Sequence, residues 1–158
     1  MADASHASAT VSRQTATERC SPRFSCVFLG CSGEDYQAAS RYLDAAHVGL
    51  RRASSLEQAD LLLADGDSRV LLAETAFPGG TWQDALAFKR RRHPEAALVV
   101  AAEYADERLW LDVLDQGAYD LILKPFVAEE LLRILANADA CARMRASASK
   151  LRQSGISW

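Results

Sequence analysis

The sequence has no apolar run that approaches the length of a bilayer span, and its first twenty residues lack the apolar stretch of a secretory signal. A membrane-spanning or exported protein is therefore not expected. No large excess of charge of one sign exists either. The formal net charge is -3 with 25% charged residues, which gives no reason to expect nucleic acid or an anionic membrane as the main partner. Cysteine is sparse: Cys20, Cys26, Cys31 and Cys141 show no metal-ligand spacing. Without a secretory signal a disulfide framework is not expected, so the thiols read as reduced, in a cytoplasm. Cys26 falls inside an apolar run and reads as a small core residue.

What is present is an ordinary globular composition, 49% hydrophobic over 158 residues, enough for one domain with a real core. Residues 1–22 are rich in Ala, Ser and Thr and have no apolar periodicity, so they are expected to form a disordered leader. The domain is expected over 23–146, with 147–158 a basic tail or an extension of the last helix. Nothing after the fifth helix is long enough for an output domain, so a stand-alone module is expected.

From residue 24 short apolar runs alternate with amphipathic stretches. Strands are predicted at 24–29, 48–52, 70–74, 97–101 and 119–123. Helices are predicted at 34–46, 55–64, 82–92, 106–116 and 128 to about 146, the fourth closed by Gly117. In the first helix Tyr36, Ala39, Tyr42 and Leu43 share one face. In the last, Leu131, Leu132, Leu135 and Ala138 point to the core. Alternation of this kind means βαβ units and a parallel sheet, and continuous apolar strands such as VLLA and ALVVAA fit a sheet covered on both faces. In such sheets the functional crevice lies beyond the carboxyl ends of the strands.

Those strand ends carry the strongest motifs. The third strand ends at Glu74, four residues before Pro78-Gly79, and the fifth ends in Lys124-Pro125-Phe126 after Gly117-Ala118. The stretch AYDLILKPFVAEELL and the spacing of both motifs over residues 24–140 resemble a response-regulator receiver domain of the CheY-like superfamily. The resemblance implies a flavodoxin-like doubly wound sheet of five parallel strands in the order 2-1-3-4-5, and a cis peptide bond at Pro125. It also implies a Mg²⁺ ion held by an acidic pair after the first strand and by an acceptor aspartate. A hydroxyl after the fourth strand and the strand-five lysine would complete the phosphoryl site.

This chain departs from that pattern at nearly every position. Cys31 and Ser32 stand where the acidic pair belongs, Glu74 replaces the acceptor, Ala102 the hydroxyl residue and Leu121 the switch aromatic. Lys124 alone matches. Mg²⁺ demands several hard oxygen ligands, so its binding is expected to be lost. Lys124 is then expected to pair with Glu74, two opposite charges holding each other ionised on the crevice floor. A carboxylate there carries less charge and fewer oxygens than a phosphoryl group, so any mimicry is partial.

The competing readings are structural. Ser32-Gly33-Glu34-Asp35 resembles a capping box, which favours Glu34 and Asp35 as first-turn acids over replacement ligands. Cys31 precedes a helix, a place that can activate a thiol, but Gln37 occupies the arginine position of a Cys-x5-Arg motif, so it reads as a loop residue. The run Lys89 to Arg92 with His93 suits a helix C-terminus better than nucleic acid. Trp110, among Leu109, Leu111 and Val113, lies on the face the family uses for partners.

The resemblance therefore implies a degenerate, non-enzymatic receiver that needs no cofactor. It would act in a phosphorelay or derived pathway by contact with a protein partner, a histidine kinase or another signalling protein. Two rivals remain open: a phosphorylatable receiver with a substituted acceptor, and a small anion- or nucleotide-binding domain using the Gly30-Cys31-Ser32-Gly33 loop.

Overall fold

The computed structural model describes residues 23–153, so the expected leader and the last five residues lie outside the described part. Twelve elements follow one another: β1 (Ser25–Leu29), α1 (Gly33–Ala45), β2 (Gly49–Ala53), α2 (Leu56–Ala64), β3 (Ser68–Glu74), β4 (Ala76–Phe77), β5 (Gly80–Thr81), α3 (Trp82–Arg92), β6 (Ala97–Ala102), α4 (Glu107–Asp115), β7 (Asp120–Leu123) and α5 (Ala128–Gln153). The main sheet has five parallel strands in the order β2-β1-β3-β6-β7, the flavodoxin-like order expected.

Strand periodicity divides the core into two layers. Cys26, Phe28, Val70, Leu72, Val99, Ala101 and Ile122 face α1 and α5. Their alternate neighbours Val27, Leu29, Leu71, Ala73, Leu98, Val100 and Leu121 face α2, α3 and α4. Because successive strand side chains point to opposite faces, a run such as Val70 to Ala73 must be apolar throughout to satisfy both layers. Burying a side chain such as Phe28, which is fully enclosed, stabilises the fold by about 1.5–3 kcal/mol.

Several details differ from the sequence expectation. Tyr42 turns outward while Ala39 and Leu43 take the inner face of α1, and Leu132 is only partly buried. The hairpin β4–β5 was not expected. Pro78 and Gly79, with Gly79 at φ 91°, form the turn between its strands, a position where glycine avoids the clash of a side chain. It delivers Thr81, whose backbone N–H donates to Asp84 Oδ2 at 2.9 Å and caps α3. The basic run is not a free patch: Lys89 is only 6% exposed, and Arg92 and His93 are bound to Asp60 at 2.9 and 2.7 Å. By contrast, one of the two forms expected after residue 146, an extension of the last helix, is seen as far as Gln153.

On the inner side of α5, Asp139 is buried and paired with Arg143 at 2.8 Å. Desolvation holds its carboxyl above the ordinary range, partly offset by Arg143 and Arg69. The folded state thus keeps this proton to higher pH than the unfolded chain, so its contribution to stability falls as pH rises through that window. Asp139→Asn is expected to be more stable than the parent at pH 8. That advantage shrinks on acidification toward the ordinary carboxylate range, as urea titrations at several pH values will read. An advantage that is independent of pH would contradict this assignment.

Candidate functional site

At the carboxyl ends of β3, β6 and β7 lies an open crevice of about 680 Å³, lined in part by Glu74, Thr75, Thr81, Trp82, Ala102 and Lys124. Each strand brings one group to its floor, and the side chains were expected to make one ion pair, Glu74 with Lys124. The geometry keeps that pair and adds a closer one. The Lys124 ammonium donates to Asp35 Oδ2 at 2.9 Å, and Glu74 Oε1 stands farther off at 3.9 Å. All three side chains are largely enclosed, that of Asp35 being the most open.

Asp35 reaches the floor from the first turn of α1. Ser32 is the N-cap, and its hydroxyl accepts from the Asp35 N–H at 3.3 Å. The expected capping box is only half formed. The Ser32 N–H donates to Glu74 Oε1 at 3.3 Å, so it is unavailable to the Asp35 carboxylate, which turns to Lys124. The first-turn position and the crevice role were treated as alternatives in the sequence. One residue fills both.

Glu74 can lie across the loop only because residue 30 has no side chain. A Cβ at Gly30 would stand 2.5 Å from Glu74 Cδ and 2.6 Å from Oε1. The rest of the loop is also engaged. Gly30 N–H donates to Ala53 carbonyl at 3.2 Å, and Arg52 donates to the Cys31 carbonyl at 2.9 Å while lying over the Tyr36 ring. Cys31 itself is exposed.

Ala102 ends β6 buried, its carbonyl accepting from the Lys124 N–H at 2.8 Å, so it brings no hydroxyl to the crevice. Leu121 is buried in the layer beneath α4. The Lys124–Pro125 peptide bond is cis. Among the described residues, no group of three His, Cys, Asp or Glu converges in a way that could hold a metal ion. Reasoning from sequence missed Asp35 as the lysine's partner and Gly30 as the seat of Glu74. The acid three residues after a serine cap was a visible signal for the first, and the glycine ending an apolar strand was one for the second.

No protein-family model matches the chain, and no curated protein sequence matches it. Solved structures do. NtrX from Brucella abortus is 21% identical with a TM-score of 0.67, over 84% of this chain and 30% of that one. This chain therefore spans less than a third of NtrX. The beryllofluoride-activated NtrC4 receiver domain dimer is 18% identical with a TM-score of 0.65, over 72% of this chain and 94% of that one. The signal receiver domain of a putative Luxo repressor protein from Vibrio parahaemolyticus is 14% identical with a TM-score of 0.70, over 80% and 97%. The chain is similar to receiver domains in fold. No helix among the described residues is long and apolar enough to cross a membrane.

Proposed function

We propose that this chain is a receiver-type signalling module that acts by protein contact and holds one state without a phosphorylation cycle. The observation that carries the reading is the ammonium of Lys124 set between Asp35 and Glu74. Mg²⁺ does not fit the residues present: two carboxylates approach the floor, both facing a cation, and the remaining positions offer a thiol, methyl groups and the Ser32 hydroxyl, which already accepts from the Asp35 N–H. No step through a metal is derived. The ammonium instead supplies a positive charge between two enclosed carboxylates, and in doing so ties α1 to β3 and β7.

Contact is assigned to the edge formed by α4, β7 and the start of α5. Trp110 and Leu111 are 45% and 47% exposed there, and Leu123 and Val127 are also open. Half-exposed large apolar side chains grouped on one edge are what a protein interface uses. A histidine kinase or another signalling protein is the class of partner this reading names.

Incubation with a small acyl-phosphate donor and Mg²⁺ tests the proposal. Trp82 lines the crevice, so its fluorescence is expected to stay unchanged and the intact mass to show no phosphoryl adduct. A stably labelled phosphoprotein would overturn the reading in favour of a receiver with a substituted acceptor. One observation favours that second reading, namely that Asp35 does reach the floor. The anion-binding reading loses support because the loop N–H of Ser32 already serves Glu74 and that of Gly30 serves Ala53.

A further inference from the structure

The last turn of α3 carries four cations in a row, Lys89 to Arg92, with no acid among them. The three arginines are exposed, and Arg92 is paired with Asp60. Lys89 differs from them, being 6% exposed. Lysine is almost never enclosed unless its ammonium is paired. Here it is not. Lys89 makes no ion pair and no side-chain hydrogen bond among the described residues.

Its neighbours make an ammonium badly placed at this point. The Arg145 guanidinium bears on it from α5, and Arg90 of its own helix adds a second cation. Glu95, just before β6, and the Cys141 thiol of α5 oppose them. Burial first, then the two guanidinia, hold Lys89 below the ordinary lysine range. Arg145 has no ion-pair partner among the described residues either. Two cations thus stand near each other without an anion between them.

The buried part of Lys89 is its stem. Among the described residues the one sealed side-chain nitrogen without a partner is Nε of Arg51, so the Lys89 nitrogen keeps an opening. Glu95 also lines a recess of about 180 Å³ at the amino ends of β3 and β6, together with Ala96 and Ala146. A water molecule takes about 30 Å³ in the liquid, so small molecules have room there.

We propose that Lys89 is a carbon dioxide site, at which its uncharged amine is carboxylated to a carbamate held by Arg145. In this step the amine lone pair forms a bond to the carbon of CO₂ and one C=O π pair moves onto oxygen. The proton on nitrogen passes to water. Nothing is oxidised or reduced, and no group leaves. The product reverses the charge at residue 89, so repulsion from Arg145 and Arg90 becomes attraction. An ion pair then ties the end of α3 to the far half of α5. A ready-made anion such as phosphate is a poorer occupant, because it needs the ammonium form that burial and both guanidinia disfavour. The site is separate from the crevice, and its test contains no phosphoryl donor.

The experiment is ¹³C NMR of the full chain in labelled bicarbonate at about pH 8, where an ordinary lysine is almost wholly charged. One carbamate signal is expected beyond that of the terminal amine. It is absent from Lys89→Arg, a variant with circular dichroism like the parent's, and present in Lys150→Arg, altered at an exposed lysine. Alkylative trapping of the parent and peptide mass mapping locate the adduct without any substitution, with occupancy at Lys89 at least about tenfold that at Lys150. Arg145→Gln lowers that occupancy severalfold, since it removes both the repulsion of the ammonium and the attraction of the carbamate. Overturning results are a parent with no lysine carbamate, a signal that survives Lys89→Arg, equal trapping at Lys89 and Lys150, or an occupancy indifferent to Arg145→Gln.

Discussion

Lys124→Met is expected to unfold at markedly lower denaturant than the parent, with a loss of about 2–4 kcal/mol. The substitution keeps the length of the stem and removes only the charge. What remains is Glu74, 6% exposed, and Asp35 beside it, two carboxylates with no cation between them. Removing one partner of an enclosed pair costs more than the pair itself contributes, because the charge left behind still lacks water. The Ser32 N–H that donates to Glu74 offsets only part of this.

The double substitution Lys124→Met/Glu74→Gln is expected to recover most of the loss. A neutral amide oxygen still accepts from Ser32, and Asp35, the most open of the three, can turn toward water. Equilibrium unfolding of the parent, both single variants and the double gives the coupling directly. A Lys124→Met variant within about 0.5 kcal/mol of the parent would mean that the ammonium stabilises nothing, and the assigned role in holding one state would go with it.

Gly30→Ala is the second large effect, expected at about 1–3 kcal/mol, the range for forcing a methyl into filled space. The backbone is not the reason, since Gly30 has no left-handed φ; the reason is the Glu74 side chain at 2.5 Å from the added carbon. To admit the methyl, Glu74 must leave, giving up the Ser32 N–H and its approach to Lys124. In a Glu74→Ala background the same change meets nothing of that side chain, and the cost is expected to fall below about 0.5 kcal/mol. An equal penalty in both backgrounds would show that another neighbour sets it.

These two positions bear on how the crevice differs from that of the receiver pattern it resembles. There, a metal ion and a phosphoryl group supply the charges between α1, β3 and β7. Here the covalent chain supplies all three: a carboxylate from α1, one from β3 and an ammonium from β7. On the reading proposed above, such an arrangement is complete once the chain has folded. That is the physical content of a fixed state.

The β-strands were legible because their signal is local and repeated, whereas the sheet order came from the resemblance to receiver domains. Continuous apolar runs can be accommodated only in a sheet covered on both faces, and the Gly117-Ala118 to Lys124-Pro125-Phe126 stretch marks the fifth strand within ten residues. The hairpin at 76–81 was hidden for the opposite reason: two-residue strands carry no periodicity, and only the turn signal at Pro78-Gly79 pointed to it. Lys89 read only as part of a basic helix end, whereas the packing of α3 encloses it.

From the order of residues alone came the parallel sheet covered on both faces; the resemblance added the expectation of a missing acidic pair at Cys31 and Ser32 and a matching Lys124. Tertiary structure alone decided which acid the lysine meets. Lys124 directly follows the edge strand β7, and Asp35 belongs to a helix that follows β1, with β6 and β3 lying between the two strands. Sequence pattern places a residue on a strand end or a helix turn. Whether two such ends touch across a sheet depends on the rotation of α1 about its axis and on how far a four-carbon stem extends, and both are set only when the core packs.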